Sequence, residues 1–159
     1  MKIILGSSSK YRRAILQKHG YEFETMSPDI DEGTIRTDDH YKLPLLLARA
    51  KIDALIPKIS EPALVITADA VVVCDGILHE KPRNEAEARL FLAKYSDGKP
   101  SETVSALVVI NTVNNKRSEG VDIAKIYFRP LPNSVVEEFI KTSDPYSKAG
   151  AFAIELPIL

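Results

Sequence analysis

Apolar and polar positions switch between two periods along this chain, and the switches mark its elements. Lys2 to Leu5 is a short apolar run that reads as a first strand. Gly6 breaks it, and Ser7, Ser8 and Ser9 lead into KYRRAILQKHG, where Ile15, Leu16 and His19 share one helical face. Ser9 suits the N-cap and Gly20 the position just past the end. Tyr21 to Met26 is expected as a second strand, followed by the acidic loop SPDIDEGTIRTDD. Pro44 opens a helix to about Ile56, with Leu45, Ala48, Ile52 and Leu55 in one stripe and Pro57 at its end. ALVITADAVVVC, from Ala63 to Cys74, is the most hydrophobic stretch and reads as buried strand. Asp75-Gly76 is a hairpin turn into ILHEKP.

Asn84 with Glu87 resembles a capping box for a helix to about Tyr95, with Leu90 and Phe91 as its apolar face. Glu102 to Asn111 and Val121 to Arg129 are expected as a long β-pair around NTVNNKRSEG. Asn133 to Lys141 is expected as a helix with Val135, Val136, Phe139 and Ile140 facing inward. Strands and helices alternate, but the later strands favour hairpins. The fold class is therefore α/β with a mixed rather than all-parallel sheet.

Composition narrows the picture. The 159 residues are 45% hydrophobic and 27% charged, which excludes a disordered chain and fits one domain over 1–159. With 21 basic and 22 acidic residues the net charge is −1, so nothing in the balance recruits nucleic acid or an anionic membrane. No apolar run approaches the ~20 residues of a membrane span, and the amino end is too short for a signal peptide. A cytoplasmic location is the expectation. Cys74 is the single cysteine, which excludes an intrachain disulfide; it reads as a buried thiol rather than a nucleophile. His19, His40 and His79 fit no zinc spacing.

Three features carry chemistry. The order strand, Gly-Ser turn, helix puts free N–H groups and hydroxyls where an anion can sit. Arg12 and Arg13 can fork onto phosphate oxygens, although cations in a first turn oppose the helix dipole. The alternative is a capped helix with two solvated arginines. GSSSKYRR is not a Walker loop. Asp69 is the one acid inside the apolar strand, and a buried carboxylate is costly unless paired, hydrogen-bonded or metal-bound. It is a functional group or a strand-end acid. Lys51 lies beside the apolar helix stripe, either functional or a snorkelling surface lysine. Lys81 precedes Pro82, which holds it in extended backbone.

Taken in order, GSSSKYRRAIL, SPDIDEG, LLLARAK, TADAVVV, EKP, IYFRPLP and YSKAGAFAI resemble the Maf family of nucleoside triphosphate pyrophosphatases over nearly the whole chain. The resemblance is to the eukaryotic, plant-like branch. It implies a strongly twisted mixed central sheet flanked by helices, like that of inosine triphosphatases. It also implies hydrolysis of nucleoside triphosphates, standard or modified, between the α and β phosphates, assisted by Mg²⁺ or Mn²⁺. Ser7, Arg12 and Arg13 would then face the phosphates, and Lys51 and Lys81 would neutralise the triphosphate. Glu32 and Asp69 would bind the metal, with Asp69 activating water. Tyr11 stands where it can stack on a base and leans toward methylated guanosine substrates. Ala70 follows Asp69 where the family commonly has Thr or Gln.

Family members often dimerise, so a homodimer is expected. Members usually continue past the position of Leu159, so ELPIL reads as an interrupted closing segment. A nucleotide-binding protein impaired in catalysis is the alternative. Another α/β phosphohydrolase or kinase and a nucleic-acid binder are the remaining readings, weakened by the missing Walker loop and by the charge balance.

Overall fold

The structure is a computed structural model, and it describes residues 1–142 and 144–152. The expected closing segment around ELPIL lies outside the described residues, as does the end of YSKAGAFAI. The elements run β1 (Lys2–Leu5), α1 (Lys10–Lys18), β2 (Glu24–Thr25), α2 (Leu43–Leu55), β3 (Ala63–Cys74), β4 (Ile77–His79), α3 (Glu85–Ser96), β5 (Ser101–Asn111), β6 (Lys116–Ile126), α4 (Asn133–Ile140) and α5 (Asp144–Ser147). One six-stranded sheet has the order β2-β1-β3-β5-β6, with β4 paired to β3. β1 is parallel to both β2 and β3, β3 is antiparallel to β4, and the sheet is therefore mixed, as expected.

The chain divides into two compact units: residues 1–70 with 105–122, and residues 71–104 with the chain from 123 onward. The core of the first unit is aliphatic. Ala48, Ile52 and Leu55 of α2 pack on Ile4 of β1, Ala63 and Val65 of β3, and Ala106, Val108 and Ile110 of β5. The register pairs Lys2 with Ala63 and Leu5 with Ile66, so Ser7 lies just past the carboxyl end of β1, and Asp69 lies three residues beyond the last paired position of β3, still within that strand. Sites in such sheets sit at that end. Gly6 is required there for space: a Cβ would overlap the side chains of Leu55 and Thr67.

The core of the second unit is mainly aromatic. Phe91, Tyr95, Phe139 and Phe152 pack with Cys74, Ala88, Leu92 and Ile140. Cys74 is fully buried, and burial raises its thiol pKa. Asp75 and Gly76 both have positive φ, 55° and 76°, the signature of the tight hairpin turn expected between β3 and β4.

Several expectations are corrected. α1 buries none of its residues, and Ile15, on the face expected to be shared with Leu16 and His19, is 58% exposed. β2 is two residues long, not the six expected, and pairs with β1 at Ile4–Glu24 and Leu5–Thr25. β6 begins at Lys116 rather than Val121. The turn is four residues, and the Asn111 and Asn114 side chains accept from the N–H groups of Val113 and Lys116. Its polar first half is held by ion pairs to α2, Arg49–Glu119 and Arg117–Asp53, so apolar patterning does not reveal it. In α3 the buried positions are Ala88, Phe91, Leu92 and Tyr95, and Leu90 is exposed. Val135 and Val136 are half-buried, whereas Phe139 and Ile140 are fully inside.

Candidate active site

The centre of the site is Lys51. Pro44 near the start of α2 fixes where the helix begins. Leu47, Ala48, Lys51, Ile52 and Leu55 then share its buried face. Lys51 therefore sits inside the apolar stripe, 6% exposed, rather than snorkelling beside it. Its ammonium is paired with Oδ2 of Asp69 and with Oε1 of Glu32, the latter at 2.8 Å.

Asp69 is 8% exposed, at the point where β3 leaves the first core. Its other oxygen, Oδ1, accepts from the Ala70 N–H at 2.8 Å. Glu32 reaches the pair from a 3₁₀ turn over Glu32–Thr34. Asp31 caps that turn by accepting from the Gly33 N–H at 3.0 Å. The Glu32 side chain is 53% exposed. The three residues that the sequence singles out from distant segments thus meet around one nitrogen. One positive charge stands against two negative ones, so the cluster carries acid in excess.

The amino-end turn forms the second part. Ser7 is 7% exposed, and its Oγ accepts from the Ser9 N–H at 3.2 Å and from the Arg12 guanidinium at 3.4 Å. Ser9 caps α1, as expected, accepting from the Arg12 N–H at 3.4 Å. Arg12 and Asp69 line a single cavity of about 400 Å³. The Arg13 guanidinium donates to Ser8 O at 3.4 Å, and Arg13 is not part of that lining. Tyr11 is half exposed, with the Lys10 ammonium 5.4 Å above its ring.

The cavity wall includes Ala70, already marked in the sequence beside Asp69, and brings in residues that sequence reasoning missed: Ala68 on the other side of Asp69, with Ser105 of β5 and Gly120 and Asp122 of β6. Two alanines flanking the acid were the one available signal, since small side chains leave room for a ligand. Lys81 belongs to the second unit, exposed after β4 and followed by a buried Pro82. No described helix is long and apolar enough to cross a membrane.

The Maf-like protein family matches residues 2–159. The chain is 39% identical to the 7-methyl-GTP pyrophosphatase of Dictyostelium discoideum, over 96% of this chain and 81% of that one. It is 30% identical to the dTTP/UTP pyrophosphatase of Vibrio vulnificus strain YJ016, over 97% of this chain and 81% of the relative. Among solved structures, a nucleoside-triphosphatase (dITP/XTP pyrophosphatase) of Mycobacterium abscessus shares the fold. The TM-score is 0.54, at 18% identity, over 83% of this chain and 76% of that one. With a family match over residues 2–159 and a relative 39% identical over 96% of this chain, the chain belongs to the Maf-like protein family.

Proposed function

We propose that the chain hydrolyses nucleoside triphosphates at the α–β phosphoanhydride, releasing a nucleoside monophosphate and pyrophosphate with the help of Mg²⁺ or Mn²⁺. The observation that carries this reading is the buried Lys51 ammonium held between Asp69 and Glu32, with Asp69 sharing a cavity wall with Arg12. An ammonium has three donors, and the two acids use two of them. Lys51 therefore orients Asp69 and keeps a donor for a phosphate oxygen. Asp69 takes a proton from water as the water oxygen attacks phosphorus and the bond to the bridging oxygen breaks. Ser7 and Arg12 hold phosphate oxygens at the start of α1. Arg13 and Lys81 supply further positive charge to the polyanion, a role that rests on the resemblance.

The donor set fits a divalent cation. Magnesium is commonly held by one or two carboxylates, with its other positions left to water and substrate phosphates. Among the described residues no group of three or more His, Cys, Asp or Glu forms a protein-only cage. Glu32 and Asp69 would hold the ion together with the triphosphate. When bound, it neutralises phosphate charge and acidifies water.

7-Methyl-GTP is the substrate this reading favours, since one relative so named is 39% identical, whereas dTTP/UTP relatives reach 35%. A homodimer, by resemblance, and the cytoplasmic location expected from the sequence complete the reading, and light scattering on the purified chain tests the dimer. The test of activity is release of pyrophosphate from 7-methyl-GTP, GTP, dTTP and UTP, with Mg²⁺, with Mn²⁺ and with a chelator. Metal-dependent release with kcat/KM highest for 7-methyl-GTP is expected. Release of inorganic phosphate alone, or no release from any triphosphate, overturns the reading. Protection against unfolding by the same nucleotides without turnover would instead mark a binding protein.

A further inference from the structure

The second unit contains a buried polar relay that the chemistry above does not use. His79 ends β4, and its Nδ1 lies 2.9 Å from the Tyr95 hydroxyl on α3. The same hydroxyl donates to Gly150 O at 3.0 Å. Gly150 in turn donates its N–H to Glu80 O at 3.1 Å. The proton count fixes the directions. A tyrosine hydroxyl has one proton, and a carbonyl can only accept it. The hydroxyl must therefore accept from Nδ1–H, so that His79 is the Nδ1-protonated tautomer. Burial holds its pKa low, at about 4, so the ring is neutral at neutral pH.

Nothing but glycine fits at position 150. Its φ is 70°, in the left-handed region, and a Cβ would stand 2.8 Å from Cγ1 of Val72 and 3.0 Å from the Tyr95 hydroxyl. The relay thus fixes two consecutive residues, the side chain of His79 and the carbonyl of Glu80, immediately before Lys81. Pro82 is buried and restricts Lys81 to extended backbone from the other side. An exposed lysine is normally free to wander. This one has its backbone clamped on both sides while its side chain stays exposed.

We infer that Tyr95 and Gly150 are positioning residues for Lys81, holding its backbone in one conformation from which the ammonium binds phosphate oxygens. This rests on the proposed role of Lys81 in binding the triphosphate. Holding the Lys81 backbone lowers the entropy lost when the side chain engages an anion.

Four full-length proteins test it: wild type, Tyr95→Phe, Lys81→Ala and the double variant. Two readouts are needed, kcat for pyrophosphate release and calorimetric affinity for inorganic pyrophosphate. Tyr95→Phe keeps the ring and removes only the hydroxyl. It is expected to lower kcat roughly ten-fold, and Lys81→Ala roughly a hundred-fold. The double variant should equal Lys81→Ala alone, because a positioning residue has nothing left to position. Losses that multiply in the double variant, an unchanged kcat in Tyr95→Phe, or an unchanged Lys81→Ala would each overturn the inference. Should Tyr95→Phe fail to fold, His79→Asn and His79→Leu replace it. Asn keeps an N–H near the place of Nδ1 and should keep kcat; Leu removes it and should not. Equal loss in both overturns the relay. If wild type releases no pyrophosphate from any triphosphate, the proposed function falls, and affinity for inorganic pyrophosphate decides positioning by the same non-additivity.

Discussion

In the first unit, Ile4, Ile52, Leu55, Val65 and Val108 close an aliphatic core, and the helix that supplies part of it also buries the Lys51 ammonium against Asp69. In the second, the rings of Phe91, Tyr95, Phe139 and Phe152 pack together, and the buried polar groups among them are neutral: an imidazole, a phenol and backbone amides. The His79 ring stacks on Phe91 with centroids 3.9 Å apart, and Tyr95 stacks on Phe128 at 5.2 Å. Buried ions cost far more desolvation than buried neutral groups, and an apolar pair of similar volume often serves stability as well or better. Neutral groups that satisfy one another rigidify a core at little cost. The first unit therefore buries the Lys51–Asp69 charges for chemistry, and the aromatic core of the second keeps its polarity neutral for geometry; the buried acid of the second unit, Glu102, is paired with the exposed ammonium of Lys125.

The largest expected effect breaks that comparison at Asp69. Asp69→Asn should lower pyrophosphate release by about a thousand-fold, since it removes the proton acceptor. Removing one partner of a buried pair should also destabilise by about 3 kcal/mol, read from denaturant titration. Joint replacement, Lys51→Met with Asp69→Leu, should restore stability to wild type or above while leaving the protein inactive. A double variant as unstable as Asp69→Asn would show that the pair serves the fold, and the contrast between the units would collapse.

Sequence and structure agree best where one local rule decides. β3 runs over Ala63–Cys74 as expected, because an apolar stretch rich in β-branched residues, bounded by Pro62 and Asp75-Gly76, admits little else. The Ser9 and Asn84 caps are likewise local. Glu87 departs in a detail: its carboxylate accepts from the Arg83 N–H at 2.7 Å rather than closing a box on Asn84. The acid in the apolar strand was legible as costly, but its partner was not. Lys51 is 18 residues away, and only the packing of α2 on the parallel pair β1–β3 brings them together. Ser105 and Asp122 stayed invisible for a different reason. They join the cavity through strand pairing, and nothing in SETVSALVV or GVDIAK marks one residue above its neighbours.

The next effect sharpens the neutral side of the contrast. His79 has a folded pKa of about 4 against an ordinary 6.5, chiefly through burial, with the Lys94 ammonium adding and Glu87 opposing. Between those values the unfolded chain binds a proton that the folded chain does not, so stability rises with pH. The contribution is fully present above pH 6.5 and is lost as pH falls toward 4. Its ceiling is about 3 kcal/mol. Thermal unfolding followed from pH 7 to pH 4.5 should show this slope in wild type and a shallower one in His79→Asn. Equal slopes would mean that the second unit's polarity is not held neutral by its core.

Two glycines give the smallest effects and separate the units once more. Gly6 has no room: a Cβ meets Leu55 and Thr67, so Gly6→Ala overpacks the aliphatic core and should cost about 2 kcal/mol. Gly76 has open space around it and a φ of 76°. Gly76→Ala should cost only about 1 kcal/mol, through backbone strain. The substitution that tells the two causes apart is asparagine, which tolerates the left-handed region but is larger than alanine. Gly76→Asn should recover most of the loss seen with alanine, because the turn needs a conformation and not a volume. Gly6→Asn should be worse than Gly6→Ala, because that position needs a volume and not a conformation. Chemical denaturation of the four variants reads both comparisons. The reverse ranking at either glycine would mean that packing and backbone strain had been assigned to the wrong unit.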